Sequence, residues 1–392
     1  MRGTSRQTMK KSPPLPEAQV RKNVDAAPDR TVVKKLSVLM KKLSLLLLFI
    51  FLSPVFTLAD TQPLKVGLLL PLTGPGATWG KHLQNGARLA APKGSSLELI
   101  VEDDHLDAAA AVTAYKKLAA IDQVRAILVF GSQSAHAVVP LAEREKIASL
   151  VVTTDPKSVK DTTHAVRLAL GAKPQADSLL GYLKQQGLTR VALLGTTHEA
   201  MLEYLSAITA AAPGYGVDIV FSQDVPKGET DFRTTTERMH AAKPDAVVLS
   251  LLPPSLSTFA KQYKLRNSSP PLFAFAQAEN ADEIKAAGGA LDGLIFSKVV
   301  ISDEFTKTYL KTYGETPQSY AAYSFDLITL LKQAYAKSGD VERAISAMRA
   351  EQSFPGACGT ISAGPNFAFE PQAQLVKVAG DTLSLVSQPA SK

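Results

Sequence analysis

The chemistry this sequence offers most plainly lies in two pairs of hydroxyl side chains. Ser132 and Ser134 follow the apolar run Ala126–Phe130 and lead into an amphipathic stretch from Ala135. A helix beginning there has first-turn N–H groups without intrahelical partners, and its dipole adds positive potential. Together with the hydroxyls they suit a carboxylate or another anionic or polar head. Serine is also a preferred helix cap, so either residue can serve the helix alone. Thr153 and Thr154 close the next apolar run and can present hydroxyl and carbonyl oxygens to an ammonium group, or act as ordinary strand residues. Trp79, the single tryptophan, stands one turn into a helical pattern with Leu83 and Ala87, which suits a core stripe as well as a binding wall.

Catalytic arrangements are poorly represented. The six histidines (82, 105, 136, 164, 198 and 240) include no pair at metal-ligand spacing on one helix face. His105 stands among Asp103, Asp104 and Asp107, a pattern expected of an acidic loop at a strand end with Asp107 capping the next helix. Neither a Gly-x-Ser-x-Gly elbow nor a phosphate loop occurs. Cys358, the only cysteine, falls in a turn-rich stretch and is read as structural; alone it cannot form an internal disulfide. No enzyme activity, metal or cofactor is expected.

The elements that must position these residues follow from periodicity. Lys65–Lys81 reads as strand, turn and helix: Val66–Leu70 is unbroken apolar sequence, Thr73–Gly76 are turn residues, and Trp79, Leu83, Ala87 and Ala90 recur at helical spacing. Further strands are expected at 97–101, 126–130, 149–153, 190–194, 217–221, 246–251, 272–276 and 293–298, with helices between. Strict alternation indicates α/β architecture, with two doubly wound parallel-sheet lobes. A strand-to-helix turn at the carboxyl end of a central strand is where such sheets hold ligands.

Upstream, Met40–Lys42, the apolar run Leu43–Leu52 and the small-residue site before Asp60 form a cleavable signal peptide at 40–59, preceded by a non-native or disordered extension at 1–39. Residues 1–59 hold 11 Lys and Arg against 3 Asp and Glu, so the net charge of +7 belongs to the leader and the remainder is close to neutral. Nucleic acid is therefore not an expected partner.

Six blocks in order carry a family resemblance. They are Pro71-Leu-Thr-Gly-Pro75 with Trp79-Gly80 and Asn85-Gly86-Ala87; Glu102-Asp-Asp104 with Asp107; Gly131-Ser-Gln-Ser134; Asp231-Phe232 leading to Lys243-Pro-Asp245; Gly288–Gly293; and Tyr320-Ala-Ala-Tyr323 with Asp326. Residues 64 to about 380 resemble type I periplasmic solute-binding proteins of ABC importers, in the leucine/isoleucine/valine branch. The resemblance implies a three-segment hinge, with lobe 1 at 64–178 and 299–350 and lobe 2 at 179–298 and 351–392. It also implies closure on a small solute and a periplasmic monomer that docks with an inner-membrane permease and ATPase complex. It assigns ligand contacts to Trp79, Ser132, Ser134, Thr153, Thr154 and Tyr320. The acidic group that pairs with the ligand ammonium falls at about Ala276, with Glu279 as the nearby substitute, while Ala200 and Leu252 stand where two tyrosines are expected. A buried ammonium without a carboxylate is costly, so the solute is expected to be amino-acid-like, an amide or a carboxylate. The alternative is an interaction module of the same fold, similar to penicillin-binding-protein activators.

Overall fold

The computed structural model describes residues 62–266 and 270–386, with residues 31, 34, 35, 38 and 40 upstream. Residues 1–61 and 62–392 form separate units, and the architecture below is that of the second. The expected leader at 40–59 lies outside the described residues apart from Met40. Among the described residues no helix is long and apolar enough to cross a membrane.

Apolar runs able to be buried on both faces become the centres of two sheets. In the first, β1 (Leu64–Leu70), β2 (Leu97–Asp103), β3 (Ala126–Phe130), β4 (Ala148–Val152) and β5 (Ala165–Leu168) are parallel in the order β2-β1-β3-β4-β5. In the second, β6 (Arg190–Thr196), β7 (Asp218–Val225), β8 (Ala246–Ser250), β9 (Leu272–Ala274) and β10 (Ile295–Val299) repeat that winding as β7-β6-β8-β9-β10. All five residues of β3, β4 and β8 are buried, which is why these stretches lack polar alternation. Each sheet thus reverses direction beside its first strand, and the crevice outside the carboxyl ends at that point is the place for a ligand.

The carboxyl-terminal strands correct the expected lobe limits. β11 (Ser353–Gly356), β12 (Gly359–Ala363) and β13 (Ala368–Glu370) extend the first sheet, with Ala368 and Phe369 paired to Arg167 and Leu168 of β5. Ile361 and Phe369 are buried there, and the Phe354 and Phe369 rings meet at 5.3 Å. Burying these side chains over the β5 edge assigns 353–370 to lobe 1, not lobe 2. Only β14 (Ala373–Ala379) and β15 (Thr382–Leu385) join the second sheet, antiparallel to β10 and to each other. Helix Ala172–Gln185 packs on helix Glu199–Tyr215 and on β14, so the first crossing comes just after β5 rather than at 178. The chain therefore passes between the lobes three times, after β5, β10 and β13.

Two details bear on the site. Helix Ala77–Ala90 lies so close to helix Ser319–Ser338 that a Cβ on Gly86 would stand 2.0 Å from the Ala321 carbonyl oxygen, which accounts for glycine in the Asn85-Gly86-Ala87 block. That approach places Tyr320 beside Trp79. Asp326 accepts hydrogen bonds from the amides of Ala357 (2.6 Å) and Cys358 (2.9 Å), fixing the turn between β11 and β12. Cys358 is fully buried, and burial pushes its thiol well above the ordinary value, so it is inert as a nucleophile.

Candidate functional site

A cavity lies between the carboxyl ends of the two sheets. On the first-lobe side, β1, β3 and β4 deliver Trp79, Phe130 with Gly131 and Ser132, and Val152 with Thr153 and Thr154; Tyr320 and Tyr323 come from helix Ser319–Ser338. The second lobe contributes His198, Ala200, Met201, Tyr204, Leu252, Ala276 and Gln277. The lining contains no Asp, Glu, Lys or Arg.

Three aromatic rings form one wall. Trp79 lies 6.3 Å from Phe130 and 5.8 Å from Tyr320, and Phe130 meets Tyr320 edge-on at 5.4 Å. Trp79 is only 2% exposed and belongs to the core while also lining the cavity. Facing it, Tyr204 stacks on Phe275 at 4.5 Å.

Ser132 opens helix Ser132–Arg144, three residues earlier than periodicity indicated, and neither serine caps it. The N-cap is Gly131, whose φ of +87° favours glycine. The first ladder bond runs from the Ala135 amide to the Gly131 carbonyl, so the amides of Ser132, Gln133 and Ser134 precede the intrahelical ladder. Ser132 Oγ is 2.6 Å from Thr153 Oγ1. Ser134 stands about 200° further round the helix, away from the cavity, and donates at 2.9 Å to the buried Asp104 carboxylate. Glu279 is also elsewhere: past the turn Ala276–Ala278 it pairs with Lys298 at 2.5 Å and accepts from the Ser319 amide and hydroxyl. Of the seven expected contacts, Trp79, Ser132, Thr153, Thr154 and Tyr320 are brought together, whereas Ser134 and Glu279 are not. Ala200, Leu252 and Ala276, expected on the opposite wall, all line it.

Behind the threonines lies a group that sequence reasoning missed. Arg167 has no exposed surface; it donates to the carbonyls of Thr153 (2.6 Å), Thr154 (3.1 Å) and Ala169 (3.0 Å) and pairs with Glu370 at 2.7 Å. Glu370 also accepts from the Gly171 amide at 3.0 Å, tying the first crossing to the third. The carbonyls expected to greet an ammonium group are therefore already facing a cation. An arginine inside the apolar run of β5 was the only sequence signal.

Polar contacts cross between the lobes. Glu203, half-buried on helix Glu199–Tyr215, accepts from Thr154 Oγ1 at 2.5 Å and Ser132 Oγ at 3.3 Å. Burial pushes its carboxyl up to about 6, with the Asp155 charge adding to the rise and the two hydroxyls opposing it. His136 joins Glu199 to Asp155, and Thr78 donates to Asp282 at 2.6 Å. His198, on the cavity, makes no hydrogen bond through either ring nitrogen; burial lowers it to about 4, and Lys227 acts in the same direction.

Two lobes, each wound on five parallel strands, three crossings and a cavity at the facing strand ends define a binding protein of the two-lobe class. The chain belongs to the periplasmic binding protein family, whose model matches residues 63–382, a family of solute-binding proteins and not of enzymes. Among its relatives, Leu/Ile/Val-binding protein BraC3 of Rhizobium johnstonii is 24% identical over 328 residues, 77% of this chain and 87% of that protein. In fold it is similar to the leucine-binding protein LivK of Thermotoga maritima, with a TM-score of 0.76, 20% identity, and 83% and 98% of the two chains covered. A solute-binding protein of R. palustris in complex with benzoate also superposes at 0.76, with 21% identity and 83% and 95% coverage.

Proposed function

We propose that this chain is the solute-binding component of an ABC importer, and that its solute is a small, largely apolar carboxylic acid or amide. The observation that carries the reading is an apolar cavity shared by both lobes, with no carboxylate in its lining and with Arg167 behind the Thr153 and Thr154 carbonyls. A free ammonium there would face Thr153 and Thr154 carbonyls already engaged by Arg167, and the carboxylate that reaches this end of the cavity, Glu203, already accepts from Thr154 and Ser132. A carboxylate would find the Ser132 hydroxyl and the first amides of helix Ser132–Arg144. Trp79 and Tyr320 would cover the apolar body. BraC3 is named for branched-chain amino acids and the R. palustris neighbour holds benzoate, so relatives of this fold take both kinds of solute. Closure over the solute would present a surface formed by both lobes to a permease and ATPase complex, with the protein acting as a periplasmic monomer after removal of its leader. Native mass spectrometry of the purified protein should reveal a co-purifying small acid or amide. Tight calorimetric binding of leucine, isoleucine or valine would overturn the solute assignment.

A further inference from the structure

One residue of the cavity wall is held in a backbone conformation that its side chain disfavours. In the loop between β2 and helix Ala108–Ala120, His105 and Leu106 have φ of +52° and +56°, the left-handed region in which a bulky residue is an outlier. Leu106 is buried and lines the cavity. Its Cδ1 methyl lies 3.4 Å from the position a Cβ on Gly131 would take, so the side chain rests against the residue that caps helix Ser132–Arg144. Glycine would adopt this backbone without strain, so what leucine adds at 106 is a side chain, and that side chain bounds the cavity.

Asp104 holds the strained loop in place. Its carboxylate is fully buried; Oδ1 accepts from the Leu106 amide at 3.0 Å and Oδ2 from the Ser134 hydroxyl at 2.9 Å. One side chain thus ties the loop to the first turn of the helix that carries Ser132. Burial pushes the Asp104 carboxyl above its ordinary value; the two hydrogen bonds oppose the rise and the Asp103 charge adds to it. A buried carboxylate and left-handed side chains are both costly. Strain of this kind persists where the surrounding structure over-determines it, and it gathers at ligand clamps.

We propose that Leu106 limits the size of solute the cavity admits, and that Asp104 is the positioning residue that keeps it against Gly131. This rests on the reading of the cavity as the solute site. A steric limit acts on the ratio of affinities for a short and a long solute, whereas a damaged fold weakens both together. One methylene more or less in a confined apolar pocket changes discrimination by roughly 10–200-fold, so a lost isobutyl group is readily measured.

The test is calorimetric titration of the purified protein with two pairs of acids, butanoate with octanoate and benzoate with 3-phenylpropanoate. Leu106→Gly, which suits the left-handed backbone, should shift the short-to-long affinity ratio of a bound pair at least tenfold toward the longer acid. Leu106→Phe should shift it at least threefold the other way. Asp104→Ala should move the ratio as Leu106→Gly does, and Asp104→Asn, which keeps an acceptor for the Leu106 amide, should return it to within threefold of wild type. Ser134→Ala removes one of the two bonds to Asp104; it should move the ratio the same way by less, and it serves if Asp104→Ala does not fold. Acids that bind Leu106→Gly with a ratio within twofold of wild type would overturn the size limit and leave the importer reading intact. A ratio unmoved in whichever of Asp104→Ala and Ser134→Ala folds, or an Asp104→Asn that behaves like Asp104→Ala, would overturn the positioning role. Failure of all four acids to bind both wild type and Leu106→Gly would overturn the acid-site reading together with the proposal.

Discussion

Replacing Arg167 by Met tests whether one buried guanidinium organises the candidate site. The substitution removes donors from the carbonyls of Thr153, Thr154 and Ala169 and strands the Glu370 carboxylate. Glu370 keeps 28% of its side-chain surface exposed, so solvent screening reduces the ion-pair share and the three enclosed carbonyls carry most of the cost. Breaking a buried charged network of this kind costs about 3–5 kcal/mol. For a unit of this size that corresponds to a melting-temperature loss of roughly 4–7 °C. Thermal unfolding followed by circular dichroism measures it directly. Arg167→Lys should lose less, because it retains the charge but not the planar fork. Adding Glu370→Gln to Arg167→Met should recover part of the loss by removing the unpaired carboxylate. A fall of under roughly 2 °C for Arg167→Met, or no recovery in the double variant, would refute the reasoning.

Other expectations follow from the same contacts. The Glu203 carboxyl is raised from 4.5 to about 6 where the lobes meet, so closure takes up a proton: its benefit is full below 4.5 and is lost as pH rises through 6. If opening returns Glu203 to water, the affinity ratio of wild type to Glu203→Gln should rise roughly eightfold from pH 7 to pH 5. Taking the ratio matters because His198, lowered to about 4, opposes closure on acidification in both proteins; a ratio flat within twofold would exclude Glu203 titration. Trp79 touches the cavity, so its fluorescence should change in intensity or wavelength when solute binds, and a silent signal with a calorimetrically confirmed ligand would count against its contact role. Gly86→Ala should destabilise by about 1–3 kcal/mol or more, since the added methyl meets the Ala321 carbonyl; unchanged urea unfolding would show that the two helices can part cheaply.

The architecture was legible because strands such as β3, β4 and β8 are buried on both faces and leave uninterrupted apolar runs. Ser132 and Thr153 were legible for a related reason: hydroxyls at the carboxyl ends of such strands have few structural duties. Ser134 was not, because a helix that starts three residues early turns it toward Asp104. Glu279 escaped similarly, since the short turn before it redirects the side chain to Lys298 and Ser319. His198 and Gln277 are isolated polar residues in loop sequence, where solvent exposure is the ordinary expectation. Their burial arises only when the lobes and neighbouring strand ends come together, and no local pattern encodes that. The lobe limits failed at 351–370 because β13 pairs with β5 across some two hundred positions of sequence.

That both lobes line the cavity has a kinetic meaning as well as a structural one. A solute held by one wall leaves at a rate set by its own contacts. If solute binds in the cavity as proposed, opening of the lobes for its departure would require Glu203 to release Ser132 and Thr154 and His136 to release Glu199. The opening rate of the protein would then place a common ceiling on dissociation, and solutes of quite different affinity would share similar residence times wherever that step governs escape.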